Sequence, residues 1–201
     1  MSIVFVLAAI AIIFIVAVNM GKGTKSENGD FVLRALAGNG DVALILEKVK
    51  RPLTGSVFIP NGVTTIGYEV FCNMNQITDV HIHEKVKIIG QRSFKDCIGI
   101  SSLYLGEGTE KVGDEAFDGC SGIKELLIGP RLTEIQSNAF RGCCNIQNIK
   151  IEGYNTPNIF SNTFEDITKS NCILYVKSGH LEAISKAPGW SEFKNIKEIQ
   201  G

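Results

Sequence analysis

The side chains of this 201-residue chain best suited to chemistry are its six cysteines and three histidines. Cys97, Cys120 and Cys143 follow one another at intervals of 23 residues, and Met74 stands one interval earlier. A thiolate can be a nucleophile or a metal ligand, but zinc sites use close pairs such as C-x2-C. No such pair occurs. A position shared by Cys and Met asks for a small or soft apolar group, so these thiols are expected to be buried, free and hydrophobic in role. Cys143 and Cys144 are neighbours in sequence, which rarely bridge, and cysteine usage does not fix the redox compartment.

His81 and His83 are spaced to share one face of a strand, beside Asp79 and Glu84. Two imidazoles make at most half a metal site, since a third or fourth oriented ligand and a supporting shell are needed. None is visible, so surface histidines are expected and no metal is assigned. Cys72 is out of the 23-residue phase and His180 is distant in sequence. There is no nucleophile elbow, P-loop, dinucleotide fingerprint or H-E-x-x-H. The reading is a non-enzyme with no catalytic residue, no cofactor and no evident small-molecule substrate. A net charge of −1 gives no electrostatic footprint for nucleic acid.

The elements that would position these groups are written in the repeat. Ile82, Leu105 and Ile128; Ile89, Val112 and Ile135; and Phe94, Phe117 and Phe140 all keep the same 23-residue interval as the cysteines. Four landmarks sharing one period over three copies imply a repeat solenoid. The period extends back to Val57-Phe58-Ile59-Pro60, with Ile66 and Phe71, and forward to Ile149-Lys150-Ile151. Beyond Ile151 it falters: Phe164 comes one residue late and Asp166 is expected where a cysteine stood. Alternation of strand side chains turns Leu103 and Leu105 inward and Tyr104 outward, with Val112 and Phe117 closing the same interior from the return side. Six such strands spaced about 4.8 Å apart would make a parallel face about 24 Å long.

The ends differ from the repeats. Residues 31–52 read as a hairpin around Gly38-Asn39-Gly40, placed to cap the open hydrophobic end that every solenoid has. Residues 53–176 carry the repeats, and residues 177–201, with Trp190, Phe193, Ile196 and Ile199, read as the C-terminal cap. Residues 21–30 are Gly-rich and polar, a linker. Residues 1–20 contain an apolar run of 16 residues, Ile3–Val18. That length falls between a signal-peptide core of about 7–15 and a span of about 20. The expectation is a membrane anchor or a signal segment. Lys22 and Lys25 follow the run, which by the positive-inside rule favours a cytoplasmic C-terminal flank and counts against export.

The stretches VFIPNGVTTIGYEVFCNM and VGDEAFDGCSGIKELLI resemble the BspA-like leucine-rich repeats of bacterial surface proteins, and the hairpin and the ending ILYV…GWSEFKNIKEI are similar to that family's ends. The resemblance covers about residues 31–201. It implies a right-handed coil of 23-residue units with short stacked parallel strands. It also implies an exported, non-enzymatic binding protein, often linked to adhesion to host or matrix proteins. The sequence departs from the family pattern where Pro60 gives way to His83, Gly106 and Gly129, and where Gln136 replaces a glycine.

Function is expected on positions that vary between copies. The outward row runs Phe58, His81, Tyr104, Leu127, Lys150, followed by Ile173 or Tyr175. Ser56, Asp79, Ser102, Glu125 and Asn148 lie two residues earlier on the same face. A water-facing strand row is ordinarily polar; contiguous apolar surface marks a partner site. The expected site has Phe58, His81, Tyr104 and Leu127 at its centre and Asp79, Glu125 and Lys150 at its rim, presented to a protein or peptide ligand. The chain would sit on the cell surface or elsewhere outside the cytoplasm, secreted or held to the membrane through residues 1–20. The alternative is a structural scaffold or spacer at the cell envelope.

Overall fold

A computed structural model describes residues 29–38, 41–160 and 162–199. The apolar run Ile3–Val18 lies outside the described residues. Among those described, no helix is long and apolar enough to cross a membrane.

The chain winds as a β-solenoid whose turns contribute one short strand to each of two sides. The first side holds β3 (Gly55–Phe58), β5 (Ile77–His81), β7 (Ser102–Tyr104), β9 (Glu125–Ile128), β11 (Asn148–Ile151), β13 (Ile173–Lys177) and β14 (Asn195–Ile199). On the return side lie β1 (Phe31–Gly38), β2 (Asp41–Val49), β4 (Val63–Ile66), β6 (Ile88–Ile89), β8 (Lys111–Val112), β10 (Glu134–Ile135) and β12 (Asn158–Ile159). All neighbours pair in parallel except β1 with β2, the antiparallel hairpin. On the first side β3 pairs with β5 and β7 begins a second ladder running to β14. Among the described residues that side therefore carries seven strands rather than six, because the tail returns as β14 beside β13.

A third ladder runs through the turns. Glu69, Phe71 and Asn73 donate their amides to the carbonyls of Gln91, Ser93 and Lys95. The same pattern recurs one turn on, from Arg92, Phe94 and Asp96 to Asp114, Ala116 and Asp118. The backbone reaches this geometry by entering the left-handed region twice per turn. Glu69, Arg92, Glu115 and Asn138 form one column with φ between 53° and 55°. Asn73, Asp96, Gly119, Gly142 and Asp166 form the other. That region costs an L-residue about 1–2 kcal/mol, and each amide it aims at the next turn offsets part of that cost.

Inside, Phe71, Phe94, Phe117, Phe140 and Phe164 stack face to face at 4.8–5.3 Å. Phe31 closes the column edge-on at 6.5 Å, and Trp190 and Phe193 close the other end. Trp190 is fully buried, and its indole N–H donates to the Pro157 carbonyl at 2.7 Å. It is held there by α1 (Leu181–Lys186) and the 3-10 turn Trp190–Glu192. The column of thiols is buried as expected and also has a polar task. Cys97, Cys120 and Cys143 donate S–H to the carbonyls of Phe71, Phe94 and Phe117 at 3.0–3.2 Å.

Two sequence departures find physical reasons. The extra residue before Phe164 shifts the whole last turn by one, so Asp166 takes the left-handed place of Gly142 and the buried Ile167 takes the cysteine's place. Gly129 must be glycine because a Cβ there would lie 2.1 Å from the Gly106 carbonyl oxygen.

The two sides are staggered along the axis. β1 and β2 extend the return side two levels ahead of β4, while the first side starts at β3. At the far end β13 and β14 run two levels past β11, while the return side stops at β12 and α1 fills behind.

Candidate functional site

The outward row forms because side chains on paired strands stand over one another in register, first within β3–β5 and then from β7 to β13. Phe58 pairs with His81, Tyr104 with Leu127, Leu127 with Lys150 and Lys150 with Tyr175, so Tyr175 rather than Ile173 continues the row. Phe58 is 41% exposed and His81 is exposed, their rings stacked at 4.1 Å and nearly parallel. Tyr104, Leu127 and Lys150 are half-buried. A shallow depression of about 250 Å³ lies between the Phe58–His81 stack and Tyr104, lined also by Ile59, Val80, Ile82 and His83. Burial pushes the Tyr104 phenol above its ordinary range, helped by the carboxylates of Glu107 and Glu152.

The rim is polar and internally bonded. Ser56 and Thr78 donate to one Asp79 oxygen at 3.3 and 2.8 Å. The Asn148 amide donates to Glu125 at 2.7 Å, and the Lys150 ammonium meets Glu152 at 3.1 Å. The face is thus a strip of large side chains between partly neutralised polar groups.

The two histidines part company. His83 lies beyond the end of β5, its Nε2 3.0 Å from the Pro60 carbonyl and its Nδ1 accepting from the Lys85 amide at 3.2 Å. Those partners require the proton on Nε2 and occupy both ring nitrogens. The shared strand face expected for His81 and His83 is not formed, because the chain turns after His81. Among the described residues no group of three or more His, Cys, Asp and Glu gathers to hold a metal.

Sequence reasoning missed a charged ladder on the turns. Arg92 holds Glu115 through two bonds of 3.0 Å, and Lys95 bridges Glu115 at 2.6 Å and Asp118 at 2.7 Å. Arg141 then takes Asp118 at 3.0 and 2.7 Å. The hydrogen bonds from Arg92 and Lys95 pull the Glu115 carboxyl down to about 2. Burial pushes Asp118 up, but Arg141 and Lys95 outweigh it and leave the group below its ordinary value. The available signal was the 23-residue offset between Arg92 and Glu115 and between Asp118 and Arg141.

Comparison with known proteins bears on this geometry. A family profile described as a BspA type leucine rich repeat region matches six copies across residues 52–173. No curated protein matches the chain. Among solved structures, a leucine rich cell surface protein of Faecalibacterium prausnitzii aligns with TM-score 0.53 at 21% identity, covering 74% of this chain and 44% of that one. The pneumococcal vaccine antigen PcpA aligns with TM-score 0.56 at 16% identity, covering 88% and 49%. A leucine rich repeat protein of T. pallidum aligns with TM-score 0.50 at 16% identity, covering 89% and 83%. The chain spans less than half the length of the first two.

Proposed function

The chain belongs to the BspA type leucine rich repeat family, and on that premise we propose that it is a non-enzymatic binding protein working outside the cytoplasm. Its first side presents a rigid face to a protein or peptide partner. The supporting observation is a strip of two in-register pairs, Phe58–His81 and Tyr104–Leu127, with the stacked rings of the first pair and the depression between them and Tyr104. Large side chains already fixed by stacked strands lose little freedom on binding, so more of their burial appears as affinity. Aromatic anchors inside a polar rim are the usual form of such a site. The surface location rests on kinship: the Faecalibacterium relative in fold is described as a cell surface protein. Adhesion to a host or matrix protein is the partner class this reading favours, with retention by residues 1–20 as its route to the envelope.

The test is to replace Tyr104 and Leu127 together by Ser and measure retention of the full chain on immobilised matrix-protein fractions. The expected result is loss of retention with an unchanged melting transition. Equal retention by variant and parent would remove the face from the site. An envelope scaffold is the second reading, and sedimentation separates the two: a scaffold self-associates, whereas a binding module stays monomeric.

A further inference from the structure

We propose a second docking position, adjoining the first at Phe58: the open edge of β3 accepts one extended peptide segment as an added strand. Gly55 and Ile59 donate their amides toward β5, to Gln76 and His81 at 2.8 and 3.1 Å. Alternation then turns the N–H and C=O of Ser56 and Phe58 the other way, to the edge where, among the described residues, no strand pairs. Beside that edge lies a cleft of about 700 Å³, walled by Asp30, Phe31, Arg51 and Leu53. The cleft is the step left by the stagger, where the return side has β1 and β2 and, among the described residues, the first side has no strand in register with them.

The edge strand is short, but it lacks the charge and proline that commonly blunt an edge. Gly55-Ser56-Val57-Phe58 carries no charge and no proline, whereas the opposite free edge, β14, carries Lys197 and Glu198. The occupant is a single strand of a partner, not the end of a second copy. A copy adding β14 beside β3 would drive its own α1 and 3-10 turn into the levels that the β1–β2 hairpin fills. An extended segment brings only a backbone, which satisfies Ser56 and Phe58. Its alternate side chains would pack inward on Val57 and Phe31 and outward on the exposed Phe58 ring, as His81 does from the other side.

The probe is an end-blocked peptide with the sequence of residues 77–82, Ile-Thr-Asp-Val-His-Ile, the strand that β3 already accepts on its inner edge. Saturable binding to the full chain is expected, with the Ser56 and Phe58 amides exchanging fast alone and slowly with peptide. N-methylation of one alternating set of peptide amides should abolish binding, and of the other set should not. Ser56→Pro removes an outward N–H without touching the β3–β5 ladder, and should weaken binding on the order of tenfold, the loss of about one main-chain hydrogen bond. Indifference to both changes, or no saturation, overturns the proposal. So does slow exchange of these two amides in the protein alone, which would mean that the chain or a second copy already covers the edge.

Discussion

At the scale of single residues, the three stacked cysteines combine small size, apolar character and one weak donor. Each S–H reaches the carbonyl of the Phe three positions before the preceding turn's equivalent residue, a carbonyl that already accepts the amide three residues on, so the thiol fills its second lone pair. Burial raises the Cys97 thiol to about 12 and Cys172 to about 11, and raises Cys120 and Cys143 as well. Cys144 alone is exposed and Cys72 is half-buried. A thiol reagent at pH 8 should therefore label Cys144 first and Cys72 slowly. The four buried thiols should react only on unfolding, as mass spectrometry of timed samples would show. The burial of the landmark positions was legible because packing residues must repeat when turns repeat. The S–H donation was not, since it depends on where a carbonyl points. Nor was the place of Asp166: counting by 23 put it on the cysteine, whereas the extra residue moved the count to 24.

At the scale of elements, an offset of 23 sets the regular part of the coil, from β4 to β10 on one side and β7 to β11 on the other, because residues 23 apart there are next-turn neighbours. The ionic ladder obeys it in Arg92–Glu115 and Asp118–Arg141, joined across by Lys95. Its effect on stability depends on pH with a definite sign. Glu115 drops from an ordinary 4.5 to about 2 in the folded chain, so its contribution is fully present above about pH 4.5 and is lost as pH falls toward 2. Melting temperature should fall through that window, and Glu115→Gln should fall less steeply there. Parallel slopes in the two proteins would show the pairs to be energetically silent, as exposed pairs often are. The strands of the first side were legible from their alternation. The two-residue return strands were not, being too short for any periodicity, and the left-handed columns were hidden because Glu and Arg occupy sites that favour Gly or Asn.

At the scale of the whole molecule, stability is a sum over neighbouring turns, and the ends decide where unfolding starts. Trp190 both covers Phe164 and bonds Pro157. Trp190→Ala should cost about 3–5 kcal/mol, the range for deleting a large buried ring, read from urea unfolding. Hydrogen exchange should show the loss in β12–β14 well before β4–β8; uniform loss would mean that the coil unfolds as one body. Family and coil were readable in the sequence because each turn restates them. The stagger of the two sides was not, since it depends on which ladder each irregular end joins.

The three backbone ladders have a further consequence: the molecule keeps length in rungs, not in residues. A turn of 23 and a turn of 24 each advance the coil by one strand, with the surplus before Phe164 absorbed where Phe164 still stacks on Phe140. Any change that adds less than a full rung to all three ladders leaves at least one row of amides without acceptors. Growth or loss of this coil is therefore quantised, and its reach can change only in steps of one strand spacing.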